Sequence, residues 1–463
     1  MADFLGGVQP AWCRESKELQ ELVKKLADTD PEIRRRAAQA VGSFSFPESG
    51  FDGEVVEALA EALTNDDREI RVAAARAFSH LSMLPGWPLS RQAVDALVGA
   101  LEDPEVSVLK NAAHALGHVT DPRVLVPLIV AMRTDDSGVI SAASGASRHL
   151  LNRGLVTDEA IQALIDSLGY ERASRHVISL LAMVRDRVPV GPLITLLAHE
   201  PVRVRRGAAA VLAALERPEA AGPLTAALDD EDQEVRRQVT LALGRIPDPD
   251  RVRDLAKAAE DREEVVRLAA VAGLQRGGTA ALEILLRRLT KDESPKVRRE
   301  AAIGLRTIGD SRAAAPLLDA LKTEENYDTW IEIASGALGH WNDNKEVARA
   351  IVQALTKPDP RVRKGAAIAL QVDSYKVLLL NTEEAKPLAE VLSDPEVEVR
   401  KAAVGALKLL AQERRAPGEA IVPLQAAAND EDLEVRRFAK ETLGLLSPPP
   451  HRSPESRDPR PKP

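Results

Sequence analysis

Residues 232–244 read DQEVRRQVTLALG, and this stretch, repeated with variations along the chain, decides the fold. It recurs as DPEIRRRAAQAVG over 30–42, SPKVRREAAIGLR over 294–306 and DPEVEVRKAAVGALK over 394–408. Each copy opens on an acidic turn, continues with a β-branched residue followed by arginine, and then sets small residues and a leucine at helical spacing. With the β-branched residue as anchor, copies fall at Ile33, Ile70, Val108, Val139, Ala173, Val204, Val235, Val266, Val297, Trp330, Val362, Val399 and Val435. Four consecutive intervals, from Ala173 to Val297, are 31 residues long. Only a repeat architecture produces such regularity.

The residues inside one copy dictate its shape. Position +4 from the anchor is alanine in eleven of thirteen copies and valine in the other two, and position +8 is leucine in ten. Apolar residues at 0, +4, +5, +7 and +8 make one stripe on a helix. Small side chains along that stripe let a neighbouring helix approach to about 8–10 Å. The acids before the anchor cap free amides and suit the helix dipole. Upstream lies a first helix marked by a Pro-Leu pair at 127–128, 192–193, 223–224, 387–388 and 423–424, where proline either opens or kinks the helix. Such a hairpin cannot bury its stripes alone. The fold class expected is therefore all-α, a superhelical α-α solenoid of about thirteen stacked hairpins.

Composition agrees. Of 463 residues 44% are hydrophobic but only 3% aromatic, so the core is built of alanine, leucine and valine. The 62 basic residues against 71 acidic give a net charge of -9, which disfavours a general phosphate-binding surface. Cys13 is the sole cysteine, which excludes an internal disulfide framework and fits a reducing compartment. No run approaches 18 uncharged apolar residues, and the amino-terminal MADFLGGVQPAWCRESKELQ has neither the basic start nor the apolar run of a secretory signal. A cytoplasmic protein without a membrane segment is expected. Its parts are an amino-terminal segment (1–16), the solenoid (17–446) and a disordered proline-rich tail (447–463, SPPPHRSPESRDPRPKP).

The turn aspartate, the Val-Arg pair and the first-helix proline together resemble the HEAT family over residues 17–446, in particular the short bacterial HEAT-like repeats first associated with phycobilisome lyase subunits. The resemblance implies a hydrogen-bonded ladder between layers, made by the turn Asp and the Arg. Both occur in six copies: Asp28 with Arg34, Asp230 with Arg236, Asp261 with Arg267, Asp292 with Arg298, Asp394 with Arg400, and Asp430 with Arg436. A planar guanidinium satisfies a carboxylate and a carbonyl together. For function the resemblance is nearly silent, since such scaffolds host many roles.

Departures from the consensus are the candidate functional positions. Loops at 43–54 and 82–92 carry Phe44, Phe46, Phe51 and Trp87, which read as a protein-binding rim or as the cap a terminal repeat needs. Copies three to five replace the arginine by Leu109, Ile140 and Ser174, and position +10 is His80, His118 and His149, then His340 downstream. His114 and His118 have the i, i+4 spacing of a metal pair. The layers are about 10 Å apart and no carboxylate completes a ligand set, so a satisfied or solvated histidine ladder without metal is expected. The tenth copy holds Tyr327, Trp330 and Trp341, a swollen core or a ligand pocket. Position +2 is basic in nine copies, Arg175, Arg206, Arg237 and Arg299 among them. Aligned, these form a ridge for an acidic partner or a phosphate backbone. Alternatively each pairs with the turn acids one helical turn earlier, which the acidic net charge favours.

Catalytic signatures are missing: no phosphate-binding glycine loop, paired-cysteine motif, G-x-S-x-G elbow or H-E-x-x-H helix occurs. Deoxyhypusine hydroxylase, a HEAT-like enzyme, holds two irons through His-Glu dipeptides at +2/+3. This chain has Arg35-Arg36, Lys110-Asn111, Arg206-Gly207 and Arg237-Gln238 there, and its His199-Glu200 falls in a turn. The expectation is a non-enzymatic scaffold, without cofactor, that presents a long helical surface to another protein. The alternatives are a bilin-lyase-like subunit holding a tetrapyrrole and a client protein, and, less favoured, a nucleic-acid-binding solenoid similar to the alkylpurine glycosylases and using the +2 ridge.

Overall fold

The computed structural model describes residues 18, 20–26, 28–42, 53–83, 89–246, 250–340 and 344–446. Phe44, Phe46, Phe51, Trp87, Trp341 and the segments 1–16 and 447–463 lie outside them. The chain forms two compact units, residues 1–242 and 243–463. Among the described residues both are helical, with no strand, and each is an α-α superhelical solenoid of hairpins.

The first helices are short, and several open on a proline. Pro127 is the third residue of Leu125–Ala131, Pro192 of Val190–Leu196, Pro223 of Ala221–Ala226 and Pro423 of Ile421–Ala427. Several follow a 3-10 turn, such as Pro122–Val124 and Gly418–Ala420. Proline in the first turn removes an amide that has no partner within the helix, so it starts the helix without kinking it. The second helices are longer, as in Arg68–Leu81, Val202–Leu215, Pro295–Ile308 and Val397–Gln412. Several start on carboxylate caps: Asp67 accepts from the amide of Glu69, Asp136 from Val139 and Asp359 from Arg361.

The anchors Ile70, Val108, Val139, Ala173, Val235, Val266, Val297, Val362, Val399 and Val435 are buried, as is almost every +4 residue. Ile33 in the first described hairpin is the most exposed anchor, at 38%, and Val204 is half-buried. Small residues set the spacing. A Cβ on Gly244 would lie 2.9 Å from the Gly273 Cα, and one on Gly273 3.0 Å from the Gly244 Cα, so two second helices meet backbone to backbone.

Arginine at +1 joins successive turns. Arg267 donates from one terminal nitrogen to the carbonyls of Asp261 and Arg262 in its own turn, both at 3.0 Å. Its Nε and other terminal nitrogen reach the carboxylate of Asp292 in the next copy at 3.0 and 3.1 Å, and Glu293 at 3.0 Å. Asp292 also accepts the Ser294 amide. Arg71 with Asp103, Arg205 with Asp230, Arg298 with Glu324, Arg363 with Asp394 and Arg400 with Asp430 make the same junction. The partners are largely buried, Arg267 at 6% and Asp292 at 1% side-chain exposure. Four steps lack the arginine, and at each the facing position of the next copy also lacks a carboxylate: Leu109 faces Thr134, Ile140 faces Leu168, Ser174 faces His199 and Ile331 faces Lys357. Ile140 and Leu168 are buried, apolar side chains at the sequence positions that Arg267 and Asp292 take in a later copy.

The tenth copy departs most. Trp330 takes the anchor place inside the core at 8% exposure, its indole nitrogen donating to the Leu321 carbonyl at 3.2 Å. The helix Tyr327–Ile331 then widens into a π-helical stretch, Glu332–Ala337. Its exit is closed by Lys376, a fully buried cation whose ammonium donates to the carbonyls of Gly339 at 2.9 Å and Ala369 at 3.3 Å. Burial pulls this lysine down to about 8.

The glycine contact yields a paired expectation. Gly273→Ala forces the two helices apart and costs about 1–3 kcal/mol in chemical denaturation. Gly405→Ala, inside Val397–Gln412 with nothing within 4 Å of the added methyl, stabilises by up to about 1 kcal/mol. Equal effects at the two sites would contradict the close-approach reading.

Candidate functional site

Three successive second helices stand apart in charge. Val106–Leu116 (VSVLKNAAHAL), Ser137–Asn152 (SGVISAASGASRHLLN) and Glu171–Met183 (ERASRHVISLLAM) contain one carboxylate between them, Glu171 at a helix start. Lys110 and Arg175 at +2 and Arg148 at +9 are exposed. On a helical wheel +2, +3, +6, +9 and +10 share the side opposite the buried stripe, so these cations point the same way as His114, His118, His149 and His176.

None of the three cations has a carboxylate within ion-pair distance among the described residues. Arg148 reaches only the Ser179 hydroxyl, at 3.5 Å. Lys110 and the Asp136 carboxylate both lie beside Gly138, and Asp136 caps the Val139 amide at 2.8 Å. Four other +2 cations are neutralised by their neighbours, whereas exposed Arg437 lies over the Phe438 ring with no ion-pair partner among the described residues. Arg206 binds Asp232 with both oxygens, at 2.9 and 2.5 Å, and holds that carboxyl down at about 2. Arg237 pairs with Glu234, Lys364 with Glu396 and Lys401 with Asp432. These acids come from the next copy's turn in three cases, rather than from one helical turn earlier in the same helix. Arg299 is exposed and has no ion-pair partner among the described residues.

Histidines link the layers on the same face. The rings of His114 and His118 have centroids 5.5 Å apart, and those of His118 and His149 are 5.2 Å apart. The 10 Å layer spacing thus overstates the gap, because side chains of adjacent copies lean towards one another. His114 Nδ1 lies 3.0 Å from the Ser79 hydroxyl, and His176 Nδ1 3.0 Å from the Ser144 hydroxyl. Among the described residues no group of three His, Cys, Asp or Glu is placed to hold a metal ion. His118 titrates below the usual histidine range, chiefly because it is partly buried and then because His114, His149 and Arg153 oppose a second charge. Burial, with Arg175 and Arg148 nearby, pulls His176 down as well.

The other sequence candidates are dispersed. Tyr327 is 72% exposed, whereas Trp330 is a core residue without a surface of its own. The ladder residues sit in the turns, away from the second-helix face. Sequence reasoning did not single out Arg148, His176 or Lys376. The signal for the first two was available in the near-absence of Asp and Glu over 106–116, 137–152 and 171–183; burial of Lys376 has no sequence signature.

Since the folded chain holds the His118 proton less tightly than an unfolded one, its stabilising contribution is full above pH 6.5 and is lost as pH falls below that value. Ring-proton NMR of the whole chain is expected to place the His118 midpoint below 6.5, and His149→Asn to raise it by removing one neighbouring charge. An unmoved midpoint would show that the stacked rings do not interact.

A profile of HEAT repeats matches residues 19–88, 81–147, 190–275, 252–336 and 385–458, well over half of the chain. An uncharacterized phycocyanin operon protein Z from Pseudanabaena tenuis is 26% identical over 170 residues, which is 35% of this chain and 81% of that protein. The crystal structure of the karyopherin Kap121p bound to the extreme C-terminus of the protein phosphatase Cdc14p superposes over 93% of this chain with a TM-score of 0.50 and 13% identity. The chain spans about half the length of that karyopherin, 49%, and the likeness is one of fold. No described helix is long and apolar enough to cross a membrane. From its repeated turn, arginine junctions and stacked hairpins, the chain belongs to the HEAT-repeat family.

Proposed function

We propose that the chain is a non-catalytic scaffold that offers the exposed face of its second helices to a protein partner. One observation carries this reading: Lys110, Arg148 and Arg175 have no carboxylate partner on three successive helices that hold a single acid between them, whereas Arg206, Arg237, Lys364 and Lys401 are neutralised internally. Stacking requires apolar and small residues and the turn junctions, and it has no use for these three charges. Residues retained on a surface without a structural task are the ones available for recognition.

Cross-linking mass spectrometry on the full chain in a lysate tests this. Cross-links from a protein partner are expected to map to residues 106–183 and to vanish in a Lys110→Glu, Arg148→Glu, Arg175→Glu variant that keeps its helical circular dichroism. Cross-links confined to other faces, or none at all, would sink the reading.

The relationship to a phycocyanin operon protein favours one second reading, a bilin-lyase-like subunit. A tetrapyrrole has propionates that suit the same cations. Co-expression with a bilin would then give a coloured purified protein, and a colourless product would count against it.

A further inference from the structure

We infer that the face formed by Val106–Leu116, Ser137–Asn152 and Glu171–Met183 binds a short acidic segment of a partner protein in extended conformation; this rests on the scaffold reading and names the partner's chemistry. Three helices packed about 8–10 Å apart present a strip about 20 Å long. An extended chain advances roughly 3.3 Å per residue, so about six or seven residues cross it. In such a segment an Asp or Glu at every third position meets each layer once.

The strip is bounded on both sides. Towards the amino terminus, Asp67 and Glu69 line a groove with Arg76, which returns the surface to mixed charge. Towards the carboxyl terminus, Arg206 is already held by Asp232. A long polyanion would run from the strip onto these acids and onto a chain with net charge -9, whereas a short segment would not. That geometry favours a peptide over a nucleic acid, whose binding scales with the number of phosphates neutralised. The free cations lie in an environment already wet, so pairing them costs little desolvation. Ring N–H groups of His114 and His149 add donors that complement a carboxylate.

The test is fluorescence anisotropy of the full-length chain at low and at physiological salt with three probes: a peptide of roughly nine residues with glutamate at every third position, the same peptide with glutamine, and a single-stranded oligonucleotide of similar length. The glutamate peptide is expected to bind about tenfold or more tightly than its glutamine counterpart and to weaken with salt. Lys110→Glu, Arg148→Glu, Arg175→Glu is expected to lose about tenfold or more, whereas Lys440→Glu, which reverses an exposed cation outside the strip, leaves affinity unchanged. Equal binding of the two peptides, undiminished binding by the triple variant, or tighter binding of the oligonucleotide overturns the inference. If cross-linking finds a partner on another face while the peptide fails to bind, the scaffold reading stands and this inference falls.

Discussion

The junction of one arginine with two successive turns is the interaction on which the layers depend. A hairpin of alanines and leucines can slide against its neighbour, because small apolar side chains pack in more than one register. The guanidinium removes that freedom. Arg267 spends one terminal nitrogen on the carbonyls of its own turn and the other side of its fork on Asp292 of the next, so turn geometry and layer register are set by the same group. The aspartate is equally committed, since it accepts the Ser294 amide as well as the arginine.

Burial makes the two partners interdependent. A guanidinium or carboxylate left alone in a largely dry turn is far more costly than the pair, while an apolar pair of similar volume is close to neutral. This accounts for the four steps without the arginine, each of which also lacks the facing carboxylate, and for the buried Ile140 and Leu168 at one of them. Three of those steps fall between the third and sixth copies, the same segment that holds the unpaired Lys110, Arg148 and Arg175. There the stacking is apolar at the turns, and the charges that remain stand on the second-helix face.

Most of the fold was legible from residues such as Val235, Val239 and Leu243, whose spacing gives both helix and buried stripe. The first-helix proline was legible as a boundary, yet only its place in the first turn showed that it opens the helix. Trp330 was flagged as irregular, but nothing in the sequence distinguishes a core tryptophan from a surface one; its bond to the Leu321 carbonyl does. The histidines were recognised by position, whereas their mutual contact depends on side-chain lean that a layer spacing does not convey. The unpaired cations were the least legible. Nine basic +2 residues look alike in a row of letters, and what separates Arg175 from Arg206 is whether an acid of the next copy lies within reach.

A double-mutant cycle at Arg267 and Asp292, measured by urea unfolding, tests the coupling directly. Arg267→Ile and Asp292→Leu should each cost about 3–5 kcal/mol, and the two together, which reproduce the side chains found at Ile140 and Leu168, should cost less than either alone. Two costs that simply add would mean that arginine and aspartate act separately, and that no paired constraint holds the layers in register.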